Sequence, residues 1–243
     1  MTQTLSPYDQ VVSRKRKWTP VAVRRNKLVE GSEDAIYRAL GLRHLELPVR
    51  EFLQQGLEKE LPNTPGVREA LMSNQLDEER HDQALNYVVA AHGSNEKFES
   101  EAKHILKAWL DAPEHPLLKA AILERSVFFV ILPFFRFNGD VGIRTTAADI
   151  SRDEQCHVAI HSMVCSELGL KSTSSLNRLR RATVGWVVDG LGNSKNRYLD
   201  KDFWLDQSDA LYLRGKAPGL KDTQRSRVPA FFETSNTDLP QYG

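Results

Sequence analysis

Apolar residues along this chain recur at helical rather than strand spacing. From Ser32 onward, Ile36, Leu40, Leu47, Leu53 and Leu57 mark a stripe that predicts helix up to Leu61-Pro62, with Pro48 as a kink or restart. Asn63-Thr64-Pro65-Gly66 is a turn, and Thr64 before Pro65 is a start signal for a helix running to about His92, where Gly93 stops it. A shorter helix is predicted over 95–110, and Pro113 and Pro116 break the chain before another over 117–137. After the turn Asn138-Gly139-Asp140, Thr145 or Thr146 leads into a helix reaching Leu168-Gly169, and Ser174 or Ser175 begins one more, to about Leu191-Gly192. No stretch alternates convincingly as a strand, and no solenoid-like repeat appears. Residues 1–31 are polar and basic and read as an arm. Residues 193–243 mix Gly, Pro, Asp and Ser with scattered aromatics and read as an extension over the surface. The pattern therefore predicts an all-α antiparallel bundle over 32–192 with extended N- and C-terminal arms.

Composition narrows the function classes. The 243 residues carry 33 Lys+Arg against 32 Asp+Glu, a net charge of +1, so no global field favours nucleic acid. The run Arg14-Lys15-Arg16-Lys17, and Arg178 with Arg180 and Arg181, have no aromatic interleaving and read as solvated, so no nucleic-acid partner is expected. The most apolar stretch, Ser126 to Phe137, is broken by Pro133 and Arg136 and is shorter than the roughly 20 residues that span a bilayer, so no membrane partner is expected either. Met1 to Asp9 lacks the basic-then-apolar pattern of a secretory signal, which gives a cytoplasmic expectation. Cys156 and Cys165 fit no zinc or redox spacing and are read as reduced.

Two helices carry the candidate chemistry. One holds Asp77-Glu78-Glu79-Arg80-His81 and a later one Asp153-Glu154-Gln155-Cys156-His157. Both contain Glu-x-x-His, and three residues turn a helix through about 300°, so carboxylate and imidazole project from one face and can share a metal site. Taken singly, each is equally a surface carboxylate beside a half-buried histidine; context strengthens the pair. Glu124 lies between Ala120-Ala121-Ile122-Leu123 and Phe128-Phe129, where an uncompensated carboxylate would be costly. Glu46 shares a face with Ala39, Leu42, Val49 and Leu53, whereas Glu51, the weaker alternative, shares one with His44, Gln55 and Glu58. Two Glu-x-x-His pairs plus one Glu from each of two further helices form the ligand set of a dinuclear carboxylate site in a four-helix bundle. His161, one turn beyond His157, lacks the following Glu of a zinc protease and reads as a histidine behind the ligands or a plain helical one.

At these residues the sequence resembles the small subunit of class I ribonucleotide reductase, the radical-generating partner of a separate catalytic subunit. Glu124-Arg125-Ser126-Val127-Phe128-Phe129 with Leu132-Pro133, and Ala148-Asp149-Ile150-Ser151-Arg152-Asp153-Glu154-Gln155-Cys156-His157, are similar to that family's third and fourth ligand helices. Trp18-Thr19-Pro20 and Phe231-Phe232-Glu233 resemble its early Trp-x-Pro and the segment after its helical domain. The resemblance implies a ferritin-like fold and a dinuclear centre (Mn/Fe, Fe/Fe or Mn/Mn) held by Glu46, Glu78, His81, Glu124, Glu154 and His157. It also implies an apolar pocket beside the metals lined by Phe128 and Ile150, an exit route for the oxidising equivalent through Asp153 and Trp18, and homodimerisation. Tyr242 is the candidate for the tail residue that passes the radical to the large subunit.

Two departures modify this. The radical-storing Tyr of most of the family stands four residues after the first ligand His, and here that position is Leu85; Tyr87 points elsewhere on the helix. The resemblance then implies that the oxidant is stored on the metals. The other departure is the ending, since the sequence stops soon after Phe232, at Pro240-Gln241-Tyr242-Gly243, with a much shortened docking tail. The main rival is a ferritin-like diiron oxygenase or fatty-acyl desaturase, which a substrate channel reaching the metals would favour. A metal-storage protein is the third reading, which the long ends disfavour.

Overall fold

The protein is described here by a computed structural model covering residues 5–192 and 194–214. Its elements are α1 (Pro7–Val12), α2 (Glu33–Gly41), a 3-10 turn (Leu42–Leu45), α3 (Glu46–Leu57), α4 (Val67–His92), α5 (Glu96–Asp111) and α6 (Pro116–Leu123). After a π-helical turn (Glu124–Phe128) come α7 (Phe129–Asn138), α8 (Val141–Glu167), α9 (Ser174–Val188), a second 3-10 turn (Arg197–Leu199) and α10 (Lys201–Arg214). No strand occurs among the described residues, as the helical spacing predicts. No helix is long and apolar enough to cross a membrane, among the described residues.

The boundaries follow local chemistry. Pro48 falls in the first turn of α3, where a missing N–H costs nothing, so the chain restarts there after the 3-10 turn. Helix α4 begins later than predicted because Gly66 takes φ +83°, and it stops at Gly93, also at φ +83°, whose N–H bonds to Val89. Helix α8 starts earlier than predicted because Asp140 caps it, accepting from the backbone N–H of Ile143.

α3, α4, the α6–α7 segment and α8 pack together as a ferritin-like four-helix bundle. Helices α2, α5 and α9 cover one side. The N-terminal arm is not merely extended: α1 packs on α4 and α8, with Tyr8 buried and its hydroxyl donating to Glu167 at 2.6 Å. Beyond residue 193, where the pattern suggests irregular chain, α10 packs on α9 and drives Trp204 fully into the core, edge-on to Phe134 at 5.4 Å. Cys156 and Cys165 are free and buried. Tyr242 and Phe231-Phe232-Glu233 lie outside the described residues.

Candidate metal centre

The four bundle members each send a carboxylate into one buried cavity. Glu46 opens α3, Glu78 and Glu154 lie mid-way along α4 and α8, and Glu124 begins the π-helical turn. The wide turn inserts extra chain between the apolar faces of α6 and α7, a distortion that frequently accompanies functional sites. All four glutamates, with His81 and His157, are at most 2% exposed. Glu51, the alternative to Glu46, is on the exposed surface.

Donor atoms of Glu46, Glu78, His81 and Glu154 lie within 4.8 Å of one another, and a second group forms from Glu78, Glu124 and His157. Nδ1 of His81 is 3.8 Å from Glu46 Oε2, 3.7 Å from Glu78 Oε2 and 3.4 Å from Glu154 Oε1. Nδ1 of His157 is 3.1 Å from Glu78 Oε1, 3.5 Å from Glu124 Oε1 and 3.8 Å from Glu154 Oε1. Glu78 and Glu154 thus face both imidazoles, while Glu46 belongs to the His81 side and Glu124 to the His157 side.

The ring nitrogens that face away from the cavity are held by the aspartates that precede the glutamates, in a crossed arrangement. His81 Nε2 donates to Asp153 of α8 at 3.3 Å, and His157 Nε2 donates to Asp77 of α4 at 2.9 Å. A histidine whose outer N–H is tied to a carboxylate presents the lone pair of its inner nitrogen, as a metal ligand must. The aspartates are balanced in turn. Asp77 accepts from Lys15 at 2.6 Å and pairs with Arg80, and Arg80 also reaches Asp153 at 3.2 Å. Trp18 Nε1 donates to the same Asp153 oxygen at 2.7 Å. Burial raises the Asp153 carboxyl, but the hydrogen bonds from His81 and Trp18 outweigh it and bring it down to about 2.

With its outer carboxylates neutralised by Lys15 and Arg80, the inner set is left with four glutamates and two imidazoles. Both oxygens of Glu78, Glu124 and Glu154, Oε2 of Glu46 and Nδ1 of both histidines are buried without a hydrogen-bond partner. Burial pushes Glu46 far above the usual carboxylate range and Glu154 up to about 7. Such a set is unstable as it stands and fits two divalent cations, whose charge would balance four carboxylates. The cluster can hold a dinuclear metal site.

Of the other residues singled out in the sequence, Ile150 is buried in the core, and Phe128 lines a narrow cleft with Ala39, Arg43, Leu85 and Leu132 that reaches Glu46. The basic run at 14–17 is not uniformly solvated as expected. Arg14, Arg16 and Lys17 are exposed, but the side chain of Lys15 is only 10% exposed and turned inward. Sequence spacing did not assign roles to Asp77, Arg80 or Lys15. The repeated Asp before Glu-x-x-His was the available signal for Asp77.

In fold, the chain is similar to a solved structure of a Bacillus halodurans protein provisionally described as a class I ribonucleotide reductase. The TM-score is 0.58 at 16% identity, covering 86% of this chain and 89% of that one. At this identity the likeness is one of fold. No protein-family profile matches the chain, and no curated protein matches it in sequence.

Proposed function

We propose that this chain is the radical-generating small subunit of a class I ribonucleotide reductase, with Glu46, Glu78, His81, Glu124, Glu154 and His157 holding two metal ions. The observation that carries this is the continuous path from cavity to surface: His81, Asp153, then the half-buried indole of Trp18, contributed by the N-terminal arm. Storage or oxygenation alone requires no such path. Bound Mn or Fe ions would supply one-electron oxidising power after reaction with dioxygen or superoxide.

The chain's own groups do the rest. Glu78 and Glu154, which face both imidazoles, would hold both ions, Phe128 and Ile150 would keep the surroundings apolar, and Asp153 fixes the proton on His81 Nε2 while accepting from Trp18. The indole ring lies 6.2 Å from the His81 ring at 19°, and Arg80 sits 5.7 Å over its face. Leu85, not a phenol, lines the cleft beside Glu46, so any stored oxidising equivalent would reside on the bound metals. The partner is a separate catalytic subunit, with Tyr242 as the last relay, and the small subunit works as a homodimer. Residues 32–192 form the metal-binding domain, flanked by the arm and by the 193–243 extension.

The cleft beside Glu46 is the observation that favours an oxygenase or desaturase. It is about as narrow as a water molecule, which suits a diatomic oxidant and not an acyl chain. Electron paramagnetic resonance with metal analysis tests the proposal, on metal-free protein loaded anaerobically with Fe(II), Mn(II) or both and then exposed to dioxygen or superoxide. A long-lived coupled-metal signal without a tyrosyl radical supports it. Rapid decay under every loading, with product formed in the absence of a large subunit, moves the assignment to the oxygenase.

A further inference from the structure

Lys15 lies outside the ligand cluster, yet its ammonium has three protons and three acceptors: Ser73 Oγ at 3.0 Å, Asn74 Oδ1 at 2.7 Å and Asp77 Oδ2 at 2.6 Å. Two of these contacts lead back to the same half of the cavity. Asp77 accepts from His157 Nε2, which directs His157 Nδ1 toward Glu78 and Glu124. Asn74 is fully buried, and its Nδ2 lies 3.2 Å from His161 Nε2.

Donor and acceptor roles along this second branch are forced. A lysine ammonium can only donate, so the Asn74 atom facing it is the carbonyl oxygen and the atom facing His161 is the NH2. An NH2 can only donate, so His161 Nε2 is an acceptor and carries no proton. The ring proton therefore sits on Nδ1, which lies against Glu124 Oε2. His161 is 1% exposed. Nδ1 lies against one oxygen of Glu124, Oε2, and leaves the other, Oε1, facing His157 Nδ1 at 3.5 Å.

We propose that Lys15 is a positioning residue for the Glu124 and His157 half of the site. Through Asp77 it sets which nitrogen of His157 is free, and through Asn74 and His161 it sets which oxygen of Glu124 is free. Among the described residues, the His81 half receives Trp18 from the same arm and no ammonium, so the arm makes the two halves of the cluster unequal. This rests on the dinuclear reading above.

The test uses the full chain in two measurements. Long-range 15N–1H correlation on the metal-free, histidine-labelled protein, assigned by the resonance lost in His161→Gln, reads the His161 tautomer directly. Wild type is expected to show the Nδ1–H form, and Lys15→Met a mixture or the Nε2–H form. Equilibrium binding of Mn(II) is expected to show two ions per wild-type chain. Lys15→Met should weaken one of them by about 10- to 100-fold, the range for groups that orient metal ligands. Adding Lys15→Met to Glu124→Gln should weaken binding no further, because the ion it acts on is already compromised. An Nε2–H tautomer in wild type overturns the proposal even if Lys15→Met fails to fold. So do two unchanged Mn(II) affinities in a folded Lys15→Met. Fewer than two Mn(II) per wild-type chain overturns the dinuclear reading and the proposal with it, and the tautomer measurement tells that failure from the others.

Discussion

Trp18 and His81 share one carboxylate oxygen: the indole N–H reaches Asp153 Oδ2 at 2.7 Å and the imidazole Nε2 reaches the same atom at 3.3 Å. Asp153 is completely buried, so this bond is the arm's polar link to the His81 side of the cavity. Trp18→Phe keeps an aromatic ring beside His81 and removes the N–H donor. Metal loading should stay near wild type, with a stability loss of about 1.5 to 3 kcal/mol for the missing hydrogen bond to a charged acceptor. On the function proposed above, turnover with a catalytic large subunit should fall to background while the signal of the metal-loaded protein persists. Wild-type turnover by this variant would place the exit route elsewhere.

Much of this arrangement was legible in the sequence, for a physical reason. Side chains on a helix that could share a metal ion must share a face, so the convergence of Glu78 with His81 and of Glu154 with His157 was readable from spacing, and the burial of Glu124 from the apolar residues around it. Glu46 was harder, because a 3-10 turn separates α2 from α3 and no continuous helical register spans it. The role of Lys15 was hidden because a basic run reads as solvated whether or not one member turns inward. Helix α10 was missed because its polar and apolar residues do not segregate onto opposite faces, although Trp204 anchors it in the core. The π-helical turn at Glu124 leaves no spacing signal in the sequence.

Metal removal should invert the pH dependence of stability. The Glu154 carboxyl, ordinarily ionised above 4.5, is lifted by burial to about 7, so across that window the folded chain holds a proton that the unfolded chain has released. Stability of the metal-free protein therefore falls as pH rises. Glu46, raised by burial, acts in the same direction. So do His81 and His157, whose carboxylate neighbours outweigh burial and hold them well above 6.5. Bound cations displace these protons and bind more tightly as pH rises, so the loaded protein should gain stability over the same range. Urea midpoints of both forms between about pH 5 and about pH 8 check this; parallel slopes would exclude a cation role for the cavity.

The glutamates should not be equivalent. Glu78 faces both imidazoles, whereas the contact of Glu46 is with His81 alone. Glu46→Ala should leave one Mn(II) bound at close to wild-type affinity. Glu78→Ala should weaken both ions by about 100-fold or more, at least the loss seen when a supporting group is removed. Titration of free Mn(II) by its resonance signal separates the two patterns, and equal losses in the two variants would contradict the shared role of Glu78.

Lys119 offers a stability test away from the ligands. It is 4% exposed, yet its ammonium donates to the carbonyls of Trp109 and Leu110 at 3.2 Å and of Ala112 at 3.1 Å, closing the C-terminal end of α5. The same group lies 4.1 Å over the Phe52 ring of α3. A cation at a helix C-terminus both satisfies open carbonyls and opposes the helix dipole. Lys119→Met retains the stem that packs on Phe52 but strands those carbonyls, at a cost of about 1 to 3 kcal/mol. For a chain of this size that corresponds to a fall of roughly 2 to 12 °C in Tm. Mn(II) affinity should hold, because none of the six clustered Glu and His side chains donates to or accepts from this cap. A normal Tm would mean that water replaces the ammonium without cost, and a large loss of Mn(II) would mean that the α5 terminus and the metal site are mechanically coupled through α6.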